Sequence, residues 1–228
     1  MESKRAIKLI ACDLDDTLTP EIKFVKSGFL ACSQVLEKKC GISKDRACEV
    51  FRQAFKISSK HVFDRVLEKF AISDSKLKNK LVETYRYHKP NVNFYPDVPK
   101  FLEAAKNRNL PLAIITDGDA RTQRNKIRAL GAEKFFKRII LTGELGADFC
   151  KPSPKPFELL ISHFKIEPSE MLYIGDNPLK DFYISAILPI KTARIVRCDS
   201  GYKNAEYKGG VIETCRISSL AEIFDIFP

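Results

Sequence analysis

Two aspartates that end an apolar run, Asp13 and Asp15, are the residues of this sequence best placed to do chemistry. Residues 6–12 before them are almost continuously apolar, which is typical of a strand buried on both faces of a parallel sheet. Side chains two residues apart in an extended chain point the same way. One carboxylate could therefore attack a substrate while the other transfers protons.

Three further polar groups stand at or near the ends of apolar runs: Thr116-Asp117-Gly118, Lys151, and Asp176 with Asp181. A threonine hydroxyl and exposed amides could hold a phosphoryl oxygen. A lysine placed ahead of a proline-started helix supplies a fixed positive charge, and Lys155 is a weaker candidate for that role. The two later aspartates add acids at another strand end.

The positions of these groups depend on the fold, which the alternation of apolar runs indicates. The runs after the first one lie at 112–116, 138–142, 171–175 and 191–196, and helix-like stretches separate most of them. This alternation predicts an α/β fold with a doubly wound, Rossmann-like parallel sheet. Ligands of such sheets bind beyond the carboxyl ends of the strands, where all four polar groups would meet.

A block without strands interrupts this alternation directly after the first motif. It contains four stretches with helical spacing, at residues 24–40, 44–56, 61–70 and 73–88. Gly41 is expected to stop the first, Ser43 to cap the second, and Pro90 to end the last. We therefore expect an inserted all-helical cap at 20–94, with residues 1–19 and 95–228 forming the catalytic core.

In order and placement, the four polar groups resemble the four signature motifs of the haloacid dehalogenase superfamily, from residue 7 to about residue 196. The resemblance implies that Asp13 is the nucleophile that becomes an aspartyl-phosphate. Asp15 would protonate the leaving oxygen and then activate water. Thr116 would bind the transferring phosphoryl group, and Lys151 would stabilise Asp13 and the developing charge.

The same resemblance implies Mg²⁺ as the cofactor. The Asp13 carboxylate, the Asp15 backbone carbonyl and Asp176 would bind the ion, and Asp181 would orient its waters or Lys151. The physics agrees, because a carboxylate attacking an anionic phosphate is repelled unless cations lie between them. Asp181 could also simply complement the dipole of a helix that starts near Pro178.

A phosphatase acting on a small phosphomonoester, of the sugar phosphate or nucleotide class, is the function that these motifs favour. Asp15 carries this choice, because a dehalogenase expels a halide that needs no proton. A phosphosugar mutase, a 2-haloacid dehalogenase and a non-catalytic module that binds phospho-ligands remain as alternatives.

Substrate contacts are expected from both parts of the chain. In the core, Thr116, Asp117, Gly118 and Lys151 would bind the phosphoryl group. In the cap, His61 and Arg65 lie one helical turn apart and could form a joint polar patch. The weaker candidates are Lys23, Lys26, Arg86 and His88 in the cap, and Arg121, Gln123 and Arg124 at the rim of the site.

Composition limits the partners and the compartment. The formal charge is +10, but the basic residues are scattered among acids, so we expect no nucleic-acid partner. The sequence has no apolar run of the roughly 20 residues that a membrane span needs. Seven cysteines without a Cys-x-x-Cys pair indicate reduced thiols and a cytoplasmic protein. A monomer and a homodimer are both compatible with the sequence.

Overall fold

The structure, a computed structural model, describes residues 6–198 and 200–228. Within these residues the chain divides into two compact units. The core unit comprises the residues up to Glu21 together with Val92–Pro228, and the helical unit comprises Ile22–Asn91. The insertion thus begins at residue 22 and ends at residue 91, rather than at the expected 20 and 94.

The core unit is built on a parallel sheet in which six strands follow the order β3-β2-β1-β4-β5-β6. This is the strand order of a Rossmann-like fold, as expected. The strands are β1 (Leu9–Cys12), β2 (Leu112–Thr116), β3 (Arg138–Leu141), β4 (Met171–Gly175), β5 (Lys191–Ile195) and β6 (Cys215–Ile217).

Helices and short 3₁₀ turns connect the strands of the core unit. The α-helices of this unit after the insertion are α5 (Val98–Asn107), α6 (Ala120–Leu130), α7 (Thr142–Leu145), α8 (Lys155–Phe164) and α9 (Ile223–Ile226). The 3₁₀ helices are Ala132–Lys134, Ala147–Phe149, Pro168–Glu170, Tyr183–Ala186, Lys208–Gly210 and Leu220–Glu222. After Pro178 the described chain forms turns and a 3₁₀ helix, so the expected helix start there is wrong.

The central strand β1 is apolar on both of its faces, which explains its unbroken hydrophobic sequence. Ile10 and Cys12 pack into one hydrophobic cluster, and Leu9 and Ala11 pack into another. β1 lies between β2 and β4, and the chain order reverses there. Residues that follow β1 and β4 therefore share the crevice where such sheets bind ligands.

The helical unit contains the four helices that follow the first motif: α1 (Glu21–Cys40, whose first residue belongs to the core unit), α2 (Lys44–Ile57), α3 (Val62–Lys69) and α4 (Ser75–Tyr87). Its own apolar cluster includes the stacked rings of Phe29 and Phe51, whose centroids lie 4.9 Å apart. Gly41 has a positive φ of 67° after α1, as a helix-ending glycine does. Ser43 occupies the cap position of α2 without a side-chain capping bond.

The chain leaves and re-enters the core unit at adjacent points. Thr19 Oγ1 donates to the carbonyl oxygen of Asn93 at 2.9 Å, and the amide of Tyr95 donates to the carbonyl of Leu18 at 2.9 Å. These bonds tie the outgoing and returning segments together within the core unit. Among the described residues, no helix combines the length and hydropathy that crossing a membrane requires.

Candidate active site

Asp13 follows β1 and is the centre of the site. Its side chain is buried, and Lys151 Nζ lies 2.6 Å from Asp13 Oδ1. The Asp13 amide donates to the carbonyl of Ile174 in β4 at 2.8 Å, which fixes its backbone at the end of the sheet. Burial raises the pKa of Asp13 even though Lys151 opposes the shift.

Lys151 is buried among three oxygen-bearing partners. In addition to Asp13, its ammonium lies 2.8 Å from Asp181 Oδ1 and 2.7 Å from the hydroxyl of Tyr173. Burial alone would lower the pKa of Lys151, but the charges of Asp13 and Asp181 raise it well above its ordinary value. Lys151 therefore holds a permanent positive charge beside Asp13. Lys155 instead contacts Asp148 at the surface.

Asp13, Asp176 and Asp181 form a compact set of buried carboxylates that could hold a metal ion. One oxygen from each lies within 4.8 Å of the others. Burial, reinforced by the charges of Asp13 and Asp181, raises the pKa of Asp176 to about 8. Three crowded acids with oxygen-only donors suit a hard divalent cation such as Mg²⁺, which would relieve their repulsion.

Hydrogen bonds fix two of these acids. Ser200 Oγ donates to Asp176 Oδ2 at 2.7 Å. Asp181 Oδ2 accepts from the amide of Asn177 at 2.9 Å, and its Oδ1 contacts Lys151. Asp181 thus contacts Lys151 directly, and its role in orienting that lysine or the waters of a metal ion stays a prediction.

Asp15 occupies the turn that follows β1. The turn closes through the amide of Asp16, which donates to the carbonyl of Thr19 at 2.8 Å, and Asp16 adopts a positive φ of 53° that aspartate tolerates. Both carboxylate oxygens of Asp15 lie 2.8 Å from Lys126 Nζ. Its Oδ2 also accepts from Gln123 Nε2 at 3.0 Å.

Thr116 ends the neighbouring strand β2, and Asp117 follows it. The hydroxyl of Thr116 accepts from Gln123 Nε2 at 2.6 Å. Asp117 accepts at Oδ1 from the hydroxyl of Thr142 and from the amide of Lys151, at 2.9 and 3.2 Å. Asp117 thus holds the backbone of the lysine segment. Its own contact with substrate stays a prediction.

A second lysine, Lys180, reaches the same region. Its ammonium lies 3.1 Å from Asp117 Oδ2. Burial raises the pKa of Asp117 in isolation, but Lys151 and Lys180 outweigh it and lower the pKa below its ordinary value. Asp117 is therefore ionised and balanced by a lysine. Gly118, with a positive φ of 116°, completes this loop in a conformation that favours glycine.

The two candidate residues of the helical unit do not form a joint patch. The guanidinium of Arg65 donates to the backbone carbonyls of Ala54, Ser58 and Lys60, which end α2 and follow it. His61 is exposed and lies 3.6 Å from Asp64 Oδ2. Arg65 thus stabilises the end of α2, whereas a substrate contact for His61 stays a prediction.

Sequence reasoning missed several residues of the site. Lys126, Tyr173, Lys180 and Ser200 were not predicted, and Gln123 was assigned only to the rim. Arg124, another weak candidate at the rim, pairs with Glu144. A signal for Gln123 and Lys126 exists in the sequence: with Ile127, they follow the three- and four-residue spacing of a buried helix face.

Comparisons with known proteins agree with this geometry. Residues 10–195 match the haloacid dehalogenase-like hydrolases. The chain is similar to a phosphoserine phosphatase from Thermus thermophilus, with 25% identity over an alignment of 256 positions that covers 96% of this chain and 98% of the relative. It is also similar to a glyceraldehyde 3-phosphate phosphatase from Methanocaldococcus jannaschii, with 29% identity over 228 residues and 96% of both chains covered.

A solved structure supports the same relationship. The HAD phosphatase from Thermococcus onnurineus superposes with a TM-score of 0.63 at 25% identity, covering 96% of this chain and 97% of that one. The family match spans both the first aspartates and the last ones, which the structure brings together beyond β1 and β4. The chain belongs to the haloacid dehalogenase-like hydrolase family.

Proposed function

We propose that this hydrolase is a Mg²⁺-dependent phosphatase that acts on a small phosphomonoester through an aspartyl-phosphate on Asp13. The observation that carries the proposal is the buried contact of 2.6 Å between Lys151 Nζ and Asp13 Oδ1, beside the carboxylates of Asp176 and Asp181. A carboxylate nucleophile needs positive charge around it to attack an anionic phosphate. When bound by Asp13, Asp176 and the Asp15 carbonyl, Mg²⁺ would supply further charge neutralisation.

The family and its named relatives support the phosphatase class. The two relatives described above are phosphatases, and the chain is a hydrolase of the same type. Their names specify phosphoserine and glyceraldehyde 3-phosphate, which are small phosphomonoesters. We propose a small phosphorylated metabolite for this chain as well, within a class that includes sugar phosphates and nucleotides.

The reaction proceeds in two displacements at phosphorus. In the first, an oxygen of Asp13 bonds to phosphorus, the bond to the leaving oxygen breaks, and Asp15 gives that oxygen its proton. In the second, Asp15 takes a proton from water, the water oxygen bonds to phosphorus, and the bond to Asp13 breaks. Lys151 and the Thr116 hydroxyl bind phosphoryl oxygens throughout, which leaves inorganic phosphate and a regenerated Asp13.

The role of Asp15 favours phosphoryl transfer over dehalogenation, because only an oxygen leaving group needs a proton. Its carboxylate is held by the buried side chains of Gln123 and Lys126 and stays partly exposed. Transfer of the phosphoryl group to a sugar hydroxyl, as in a mutase, uses the same first step. Following the phosphate therefore separates hydrolysis from transfer.

We propose that the helical unit acts as the cap that selects the substrate. An insertion directly after the first motif is suited to exclude water and bulky ligands from the reaction. His61 is the exposed candidate of this unit for a substrate contact.

The test is hydrolysis of p-nitrophenyl phosphate by the purified protein. We expect activity with Mg²⁺ that EDTA abolishes, and a loss of about 10⁴-fold or more in Asp13→Asn, because the nucleophile is removed. Unchanged activity in Asp13→Asn at an unchanged melting temperature would exclude Asp13 from the mechanism. A panel of phosphorylated metabolites then identifies the substrate.

A further inference from the structure

Two polar side chains on the inner face of α6, Gln123 and Lys126, are almost completely buried. Only 2% of Gln123 and 3% of Lys126 is exposed to solvent, and Ile127 lies buried beside them. Removing an ammonium group from water is costly, and an apolar residue at such a position often gives equal or greater stability. The burial of Lys126 therefore indicates a purpose other than folding.

The carboxylate of Asp15 is the partner of this buried ammonium. Both of its oxygens lie 2.8 Å from Lys126 Nζ, while the Asp15 side chain keeps 21% of its surface exposed. An ammonium held by two oxygens of one carboxylate restricts the rotation of that carboxylate. The pair is desolvated on the lysine side, so it is stronger and better ordered than a surface ion pair.

Gln123 connects Asp15 to Thr116. Its Nε2 donates to Asp15 Oδ2 at 3.0 Å and to Thr116 Oγ1 at 2.6 Å. A threonine hydroxyl carries one proton, and an oxygen that accepts from Gln123 directs that proton to another acceptor. The same amide therefore orients the proton-transferring acid and leaves the Thr116 hydroxyl free to donate to a phosphoryl oxygen.

The start of α6 is fixed independently of these contacts. Asp119 caps the helix by accepting from the amide of Thr122 at 2.8 Å. Gln123 then falls in the first turn and Lys126 three residues later, so both point to the same side. The loop from Thr116 to the cap, together with one helical turn, sets the positions of both polar groups.

We propose that Lys126 and Gln123 are positioning residues for proton transfer by Asp15. They hold its carboxylate at the orientation from which it protonates the leaving oxygen, and Lys126 balances its negative charge before it takes a proton from water. This inference rests on the proposed phosphatase function. It assigns to α6 the control of the acid–base step, separate from the charges around Asp13.

The experiment compares two aryl esters that differ in their need for an acid. p-Nitrophenolate leaves phosphorus readily without a proton, whereas phenolate leaves poorly unless it is protonated. In Lys126→Met we expect kcat/KM for phenyl phosphate to fall about 10²-fold and that for p-nitrophenyl phosphate by less than about 5-fold. Gln123→Leu also releases the Thr116 hydroxyl, so it should lower kcat/KM for both esters, with the larger loss on phenyl phosphate. Lys126→Arg, which keeps the charge, should recover part of the loss.

A second readout follows the later step, in which Asp15 is the base. Lys126→Met should release p-nitrophenol in a burst of one equivalent per active site, because the aspartyl-phosphate then accumulates. In the Asp15→Asn background, Lys126→Met should change kcat/KM no further, since the residue acts through Asp15. Lys8→Met, which removes the ion pair between the exposed Lys8 and Glu170, is the control away from the site and should leave both esters unaffected.

Equal losses on the two esters, or a Lys126→Met effect that adds to Asp15→Asn, would overturn the inference. Should Lys126→Met fail to fold by circular dichroism, Lys126→Arg and Gln123→Leu decide the question by the same ester ratio. Hydrolysis of neither ester by the wild-type protein with Mg²⁺ would reject the phosphatase function itself. If the wild-type protein is active but the ratio of kcat/KM for the two esters is the same in all variants, only the positioning role is rejected.

Discussion

The core unit and the helical unit bury different kinds of side chain. In the helical unit, all of whose residues 22–91 the structure describes, Ser33 is the one buried polar side chain, and the rest of the interior is apolar. In the core unit the buried groups include Asp13, Lys126, Lys151 and Asp181. Buried charge is expensive and an apolar interior is not. The comparison indicates that the core unit keeps buried charges that lower its stability but serve the reaction. The interior of the helical unit, by contrast, mainly stabilises its own fold.

A large loss of activity is expected from a change that tests the buried charges of the core unit. Lys151→Met should lower kcat/KM for p-nitrophenyl phosphate about 10³-fold, because it removes the positive charge preorganised beside Asp13. Lys155→Met, which changes a surface lysine four residues later, should stay within about 2-fold of wild type. Steady-state kinetics of both variants measures the difference, and similar losses in the two would contradict the assignment of Lys151.

A loss of stability tests the apolar interior of the helical unit. Phe51 is fully buried and stacks on Phe29, so Phe51→Ala should lower the free energy of unfolding by about 3–5 kcal/mol. Hydrogen exchange should accelerate in residues 22–91, while β1 and β4 keep their protection. Ile57→Ala, at a position of the same helix that is 73% exposed, is the control and should change stability by less than about 0.5 kcal/mol. Uniform acceleration along the chain would mean that the two units unfold together.

A third expected effect concerns the carboxylate cluster and pH. Because burial raises the pKa of Asp176 from 3.8 to about 8, the folded metal-free protein holds a proton that the unfolded chain releases near pH 4. The free energy of unfolding without metal should therefore fall as the pH rises from about 4 towards 8. The proton competes with Mg²⁺, so stabilisation by the ion should grow over the same range and level off above it.

Thermal unfolding with and without Mg²⁺ measures this dependence. At 100 times its dissociation constant, the ion should add about 2.7 kcal/mol. Asp176→Asn is the matched variant and should lose both the response to Mg²⁺ and most of the pH dependence. An Mg²⁺ effect that is independent of pH would place the ion away from Asp176.

The sequence predicts those parts of the site that simple rules position. Asp13, Thr116 and Asp176 each end or follow a buried strand, and parallel strands bring their carboxyl ends to one edge. Lys151 is distinguished from Lys155 by its place before the prolines. The motif order therefore sufficed for the fold and for most of the groups around Asp13. By contrast, β6 is three residues long and has no apolar run that would reveal it.

Residues whose role depends on tertiary contacts could not be predicted from the sequence. Tyr173 sits in an apolar run and resembles ordinary core until its hydroxyl is seen 2.7 Å from Lys151. Lys126 resembles one of many lysines on a helix, and its burial follows only when α6 packs against the sheet. For Arg65, spacing suggested a pair with His61. His61 instead caps the start of α3 with a positive φ of 56°, and the guanidinium of Arg65 donates to the end of α2.

The bonds that join Thr19 to Asn93 and Leu18 to Tyr95 have a consequence for how such enzymes can be altered. A segment of seventy residues whose two ends lie side by side can be replaced as one unit. Exchanging it for the insert of another family member requires that two short joints be matched, because the hydrogen bonds at both joints lie within the core unit. Under the proposed role of the helical unit, such an exchange changes the substrate preference while the residues around Asp13 stay the same.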